Sequence, residues 1–144
     1  MENIIMTQVE PLITSIINMD QWPLLSESYG DILTIYLKNA QEILEYQYKH
    51  LFSSRRVTVH INLNNTEIKL PFSFINKIIK VTYNNEEIPL KYIEINNHYT
   101  IKISSIIFNK YYEKNIIIEY EAQGYCTKFI EESIIIKTKK LIEL

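Results

Sequence analysis

The segment Val57–Leu63 decides the fold: it reads VTVHINL and alternates apolar with polar side chains. A period of two is typical of a β-strand that buries one face and leaves the other face in water. Before Arg55 the apolar residues instead recur every three or four positions, which is the period of an α-helix. The chain is therefore expected to change from helix to sheet near residue 55.

Two helices are predicted before this change of period. The spacing of five apolar residues favours a short first helix: Val9, Leu12, Ile13, Ile16 and Ile17. Ser28 and Asp31 match a capping box, which predicts a longer second helix over about residues 28–51. This second helix is expected to carry Lys38, Glu42 and Glu45 mainly on faces other than its apolar stripe. Its apolar stripe comprises Leu33, Tyr36, Leu37, Ala40, Leu44, Tyr48 and Leu51.

Strands are predicted to follow over four further segments: 75–83, 88–95, 99–103 and 115–121. The pairs Asn84-Asn85 and Asn96-Asn97 fall between strands, and asparagine tolerates a positive φ better than other non-glycine residues do. These pairs therefore predict tight turns. An antiparallel β-meander of about five strands is expected.

The period becomes helical again after Gly124, where Thr127 can cap a C-terminal helix. One apolar stripe of this helix comprises Ile130, Ile134, Thr138 and Leu141. Further apolar residues broaden the stripe beyond what packing on one sheet face needs: Ile135, Ile136 and Ile142. Part of the helix is therefore expected to meet another surface.

The predicted fold class is α+β, with an N-terminal helical pair, the β-meander and a C-terminal helix. One domain of 144 residues is expected. Within it, residues 1–52 form the helical part, residues 55–123 the meander, and residues 126–144 the C-terminal helix and tail.

Composition excludes several classes of protein. The formal net charge of -2 lacks the basic excess of a dedicated nucleic-acid binder. Cys126 is the single cysteine, which rules out an intrachain disulfide and a cysteine-based zinc cluster and fits a reducing cytosol. Charges interrupt every apolar run short of a membrane span, and Met1–Met6 has no basic region. Neither secretion by a signal peptide nor a membrane location is expected.

No catalytic, cofactor-binding or metal site is predicted. His50, His60 and His98 are isolated from one another, and two glycines cannot build a glycine-rich phosphate loop. Cys126 would need a histidine close to it in space to act as a nucleophile. The alternative from a different functional class is an enzyme whose site is assembled from scattered residues such as Cys126 and His98. Trp22 suits an interface or a core equally well.

Five segments, taken in order along the chain, resemble a known family: Asn39–Tyr46, Leu70-Pro71, Ile78–Tyr83, Ile88–Leu90 and Ile116–Tyr125. The family is the head–tail connector family of tailed bacteriophages, also called adaptor or head-completion proteins. The resembling segments span nearly the whole chain.

The resemblance implies a structural virion protein that needs no cofactor and has no enzymatic activity. Its subunits would form a ring, typically of twelve, which docks on the portal protein and contacts a downstream tail or second connector protein. The ring would extend the DNA channel toward the tail, and DNA would pass through without sequence-specific binding. Assembly would occur in the host cytoplasm, and the final location would be the head–tail junction of the virion.

Members of this family commonly dock on the portal through the C-terminal helix or tail. The resemblance therefore implies a portal interface at the end of this chain: Ile135, Ile136, Lys139, Lys140, Leu141, Ile142 and Leu144. The alternative function is a generic cytosolic adaptor that binds an unrelated protein through a sheet edge or the C-terminal helix.

Overall fold

The computed structural model describes residues 4–17, 22–23, 27 and 29–143. It divides into two compact units, each formed by two segments of the chain. Unit 1 comprises Met1–Glu10 and Ser54–Gly124, and unit 2 comprises Pro11–Ser53 and Tyr125–Leu144. The expectation of a single connector-like domain stays a prediction.

The secondary-structure elements alternate between helix and strand along the chain. In order they are β1 (Ile4–Val9), α1 (Ile32–Tyr48), β2 (Arg55–Asn62), β3 (Glu67–Lys69), β4 (Ile75–Tyr83), β5 (Glu86–Glu87), a 3-10 turn (Leu90–Tyr92), β6 (Ile93–Ile95), β7 (Thr100–Ile103), α2 (Ser105–Tyr111), β8 (Asn115–Ala122) and α3 (Lys128–Glu143).

The strands of unit 1 form two antiparallel sheets. The larger sheet has the strand order β1-β2-β8-β4-β5, and the smaller has the order β3-β7-β6. Because β8 inserts between β2 and β4, the strand order departs from a simple meander. The predicted α+β class, the five-stranded antiparallel sheet and the C-terminal helix are confirmed.

The alternating pattern of Val57–Leu63 produces the buried face that it predicted. Val57, Val59 and Ile61 of β2 are all fully buried, whereas the residues between them are half-buried. The adjacent β8 buries alternate residues in the same way. The strands predicted over 75–83 and 115–121 are confirmed as β4 and β8, and the strand over 99–103 as β7.

The helix predicted over Val9–Ile17 is wrong. Val9 is the last residue of β1, and the described residues 10–17 contain no helical turn. In β1, Thr7 pairs with Val59 and Val9 with Val57. The backbone hydrogen bonds of this ladder outweigh the helical spacing of a short apolar run, which is ambiguous between the two periods.

Part of the strand predicted over 88–95 is also replaced. Leu90–Tyr92 forms a 3-10 turn, and only Ile93–Ile95 is extended. Pro89, which precedes the turn, has no N–H to donate to a strand ladder.

Helix α2, which was not predicted, begins after Ser104, whose hydroxyl accepts a hydrogen bond from the Ile107 N–H at 3.5 Å.

The two asparagine pairs make turns in different ways. Asn84 and Asn85 have φ values of 47° and 68°, as expected for a tight turn between β4 and β5. Asn97 does not use a positive φ. Its side-chain oxygen accepts the backbone N–H groups of Tyr99 at 3.0 Å and Thr100 at 2.9 Å. In this second pair, the turn is held by the Asn97 side-chain oxygen, which accepts hydrogen bonds in place of a backbone carbonyl.

Unit 2 is built on α1, which begins and ends inside the range expected from the sequence. Ser28 of the proposed capping box lies outside the described residues. Asp31 is the N-cap residue, but its side chain makes no capping hydrogen bond to the described helix. Partly buried Trp22 packs against the core, which is the second of its two predicted roles. The buried core comprises Ile17, Leu33, Leu37, Ala40, Leu44, Phe52, Ile134 and Ile135.

A polar network lies inside the helical core of unit 2. Gln41 and Glu45 are 0% and 1% exposed, so the expectation that Glu45 lies away from the buried face of this helix is wrong. A Glu45 oxygen accepts the backbone N–H of Phe52 at 2.8 Å and the Gln41 amide at 3.2 Å. The Gln41 oxygen accepts the Ser15 hydroxyl and the Ile16 N–H, both at 2.9 Å. These bonds attach two loop segments to α1, which explains why a buried carboxyl is tolerated.

Candidate interaction surfaces

Helix α3 presents two faces with different environments. Thr127 caps it, since its hydroxyl accepts the Ile130 N–H at 3.2 Å, as the sequence predicted. On one face, Ile134 and Thr138 are fully buried. The opposite side, which we call the outer face of α3, consists of exposed residues only: Phe129, Glu132, Ile136, Lys139, Lys140 and Glu143.

The outer face combines large apolar side chains with charged ones. Phe129 is 73% exposed and Ile136 is 56% exposed. They are seven residues apart, so they lie on the same side of the helix and about 10 Å from each other along its axis. The outer face therefore presents two large apolar side chains surrounded by charged residues.

The predicted portal residues are divided between the two faces. Ile136, Lys139 and Lys140 lie together on the outer face. Ile135 is 3% exposed and belongs to the core of unit 2. Two other residues of the predicted portal interface, Leu141 and Ile142, are partly buried against that core. Leu144 lies outside the described residues.

Phe129 is the outer-face residue that the sequence reasoning missed. It stands one residue before Ile130, the first residue of the apolar stripe, and therefore points in a different direction, so the stripe alone gave it no role. Its spacing of seven from Ile136 was the signal that could have found it.

A second exposed apolar surface lies along β1 in unit 1. This strand pairs with β2 on one side and has no strand neighbour on its other side among residues 4–17, 22–23, 27 and 29–143. Ile5 is 60% exposed and Met6 is 42% exposed. Its sequence, IIMTQV, contains no charge and no proline. A bulge between Ile4 and Met6 is the protection that this edge strand does carry.

A third apolar surface is an open cleft in unit 2 with a volume of about 510 Å³. It lies between the segment Ile13–Ile17 and α1. The side chain of Ile13 is 88% exposed and that of Ile35 is 59% exposed. Lys38 is the charged residue in its lining.

The two residues named for an enzyme assembled from scattered residues, Cys126 and His98, have different environments. Cys126 belongs to unit 2 and His98 to unit 1. Burial and, secondarily, the nearby Glu131 carboxylate raise the pKa of the Cys126 thiol to about 11. This thiol is therefore protonated at neutral pH, whereas a nucleophilic cysteine needs a lowered pKa. The rings of His98 and Phe74 instead pack in a T-shaped arrangement, with 4.9 Å between ring centres.

The described residues contain neither a metal-binding cluster nor a membrane-spanning helix. No group of three or more His, Cys, Asp and Glu side chains there could hold a metal ion. Likewise, none of the helices in that part of the chain has both the length and the apolar character needed to cross a membrane.

Comparison with known proteins finds similarity in structure only. No protein-family model matches the sequence, and no curated protein matches it. The structure is similar to a chain from the neck of native GTA particle, which was computed with C12 symmetry. The TM-score is 0.63, the sequence identity is 10%, and the match covers 95% of this chain and 84% of that chain. At this identity the similarity shows a shared fold.

Proposed function

We propose that this protein is a structural subunit of the neck of a phage-like virion, where copies of it form a ring between the head and the tail. The observation that carries the proposal is the similarity of fold, over 95% of the chain, to a chain of the neck of a GTA particle. That neck was computed with C12 symmetry. A ring of twelve copies is therefore proposed here.

A ring of identical subunits needs two different patches on each subunit, because each patch meets its complement on the next copy. In support of this arrangement, the uncharged β1 edge differs in chemistry from the other exposed surfaces described above. A further patch is then needed for the head side of the ring.

We assign that further patch to the outer face of α3 and its partner to the portal protein. Phe129 is a large apolar group of the kind that anchors protein interfaces, and Ile136 extends its apolar area. Lys139 and Lys140 form a charged rim beside them. The ring would contact a downstream tail or second connector protein on its other side, and DNA would pass through its channel without sequence-specific binding.

Attachment to a candidate portal protein tests this assignment. We expect Phe129→Ser and Ile136→Ser each to weaken binding at least about tenfold, because each removes an exposed apolar anchor. Ile106→Ser is the matched control, since Ile106 is 65% exposed but lies in α2 of unit 1. The control should bind as the wild type does. Unchanged attachment of both α3 variants would refute the assignment.

Point substitutions are preferable to removal of residues 137–144. Thr138 is fully buried, and Leu141 and Ile142 pack against the core of unit 2. Truncation would therefore remove core contacts together with the proposed interface.

A further inference from the structure

We propose that the cleft between the segment Ile13–Ile17 and α1 binds a short acidic and apolar segment of the tail-side protein, meaning the downstream tail or second connector protein, and that Lys38 pairs with its carboxylate. This inference rests on the proposed function, which names that partner and assigns it no surface of this chain. The shape of the cleft, its charge and the hydrogen bonds that hold its wall support the inference.

The cleft has a buried apolar floor and exposed apolar lips. Ile17 and Leu37, which line it, are both buried. Ile13 on one side is 88% exposed, and Ile35 on the other side is 59% exposed. The cleft volume of about 510 Å³ lies within the range of roughly 300–1,000 Å³ that is usual for ligand pockets. An occupant would therefore cover two large apolar side chains that the described chain leaves in water.

Lys38 determines the charge that the occupant needs. Among the described lining residues it alone is charged; it is half-buried and makes no ion pair within residues 4–17, 22–23, 27 and 29–143. An occupant that fills the cleft takes the ammonium group out of water, and burial of an ammonium group without a counter-charge is strongly unfavourable. The occupant therefore has to bring a carboxylate together with its apolar side chain.

The positions of Ile35 and Lys38 on α1 give the spacing of these two groups. The two residues are three positions apart, so they lie on the same side of the helix and about 5 Å from each other along its axis. An extended chain rises about 3.3 Å per residue. The acidic residue of an extended occupant would therefore stand one or two positions from the apolar residue.

Buried hydrogen bonds hold the wall of the cleft in place. The side-chain oxygen of Gln41, a fully buried residue, accepts the Ser15 hydroxyl and the Ile16 N–H, both at 2.9 Å. The Ile17 N–H donates to the Ser15 hydroxyl oxygen at 3.2 Å. The segment is therefore fixed against α1 before any partner binds, which lowers the entropic cost of docking.

The cleft and the outer face of α3 differ in shape and in charge. The cleft is concave and has one cation in its described lining, whereas the outer face presents Phe129 and Ile136 among charges of both signs. The two surfaces therefore suit two different partners. A subunit that lies between a portal and a tail protein needs such a pair.

Methyl NMR of the purified chain tests binding to the cleft. The probe is the peptide acetyl-Leu-Glu-Leu-amide, and its matched control is acetyl-Leu-Gln-Leu-amide, which has nearly the same shape without the charge. We expect the Glu peptide to shift the Ile13 and Ile35 methyl signals saturably. The Ile32 signal should stay unchanged, since Ile32 is 58% exposed on the same helix but does not line the cleft.

The charge preference is the sharper readout. The Gln peptide should bind at least about fivefold more weakly than the Glu peptide. In the Lys38→Gln chain both peptides should bind equally, because the preference comes from one ion pair. Unshifted Ile13 and Ile35 signals at the solubility limit of the Glu peptide would overturn the inference, and so would a preference that Lys38→Gln retains.

Attachment of the ring to a candidate tail-side protein tests the identity of the partner. Ile35→Ser and Lys38→Glu should each weaken this attachment at least about tenfold and leave portal attachment unchanged. Ile32→Ser and Lys128→Glu are the matched controls, because they change an exposed isoleucine and an exposed lysine outside the cleft. Both controls should bind as the wild type does.

The outcomes separate this inference from the proposed function. Tail-side attachment that both cleft variants retain would overturn the inference and leave the proposed function standing. Loss of portal attachment in those variants would assign the cleft to the portal and also overturn the inference. If Ile35→Ser fails to fold, Lys38→Glu decides. If the wild type forms no ring, alone or with the portal, the proposed function fails and the tail-side partner fails with it, even where the peptide binds.

Discussion

The two units bury cores of different chemistry. In unit 1 the strands contribute mainly aliphatic side chains, and the fully buried Tyr120 bonds to the backbone of Phe72 through its hydroxyl. In unit 2 the helices enclose Gln41 and Glu45. The difference shows that unit 2 uses buried polar side chains to fix loops onto a helix, whereas unit 1 obtains most of its order from strand ladders.

The largest effect should follow from disrupting the polar core of unit 2. Glu45→Ala leaves the Phe52 N–H and the Gln41 amide without their buried acceptor. At roughly 1–3 kcal/mol for each unsatisfied group, the free energy of unfolding should fall by about 3 kcal/mol. Urea denaturation measures this loss.

Glu42→Ala, one turn earlier and only half-buried, is the control and should change the free energy of unfolding by less than about 0.5 kcal/mol. Equal effects would contradict the special role of Glu45.

A smaller loss is expected in unit 1. Tyr120→Phe removes one hydroxyl that donates to the Phe72 carbonyl at 3.0 Å and accepts the Phe72 N–H at 3.1 Å. The free energy of unfolding should fall by about 2 kcal/mol, because both backbone groups stay buried. Burial raises the pKa of this phenol, so the hydroxyl remains protonated. Tyr112→Phe, at a half-exposed position, should be nearly neutral in the same denaturation experiment.

The next effect concerns Cys126 beside the core of unit 2. Its pKa is raised from 9.0 to about 11, so alkylation by iodoacetamide at pH 9 should be at least about tenfold slower than in the urea-unfolded chain. The raised pKa also makes the free energy of unfolding depend on pH. The unfolded thiol loses its proton first, so stability is complete below pH 9 and falls as the pH rises through 11. Equal alkylation rates would show that the thiol is not shielded.

The smallest effect is expected on the outer face of α3. Ile136→Ser should change the free energy of unfolding of the isolated chain by less than about 0.5 kcal/mol, because Ile136 is 56% exposed. Ile134→Ser, two residues earlier and fully buried, should destabilise the chain by several times as much in the same thermal or urea unfolding measurement. Similar losses for both variants would mean that Ile136 also packs within its own subunit.

Sequence reasoning predicted most of unit 1 because its strands alternate cleanly, as in Val57–Leu63, and alternation reports burial directly. It failed at β1, where a short apolar run matched both periods and only pairing with β2 decided between them. It also failed at Glu45, because a carboxyl is buried only when distant backbone donors reach it. Such donors leave no local pattern in the sequence.

The candidate surfaces were predictable to a lesser degree. The breadth of the apolar stripe indicated that α3 has an exposed apolar face, and Ile136, Lys139 and Lys140 do lie on it. The pattern could not separate Ile136 from the adjacent Ile135, because neighbours on a helix differ by about 100° and only packing shows which direction is inward.

The most direct test of the central claim is the mass and symmetry of particles formed by the purified chain with and without a candidate portal protein, measured by mass photometry and electron-microscopic class averages. The proposed function predicts rings of about twelve copies of the 17.2 kDa chain, formed alone or on the portal. A chain that remains a monomer or a two-fold dimer under both conditions would contradict it.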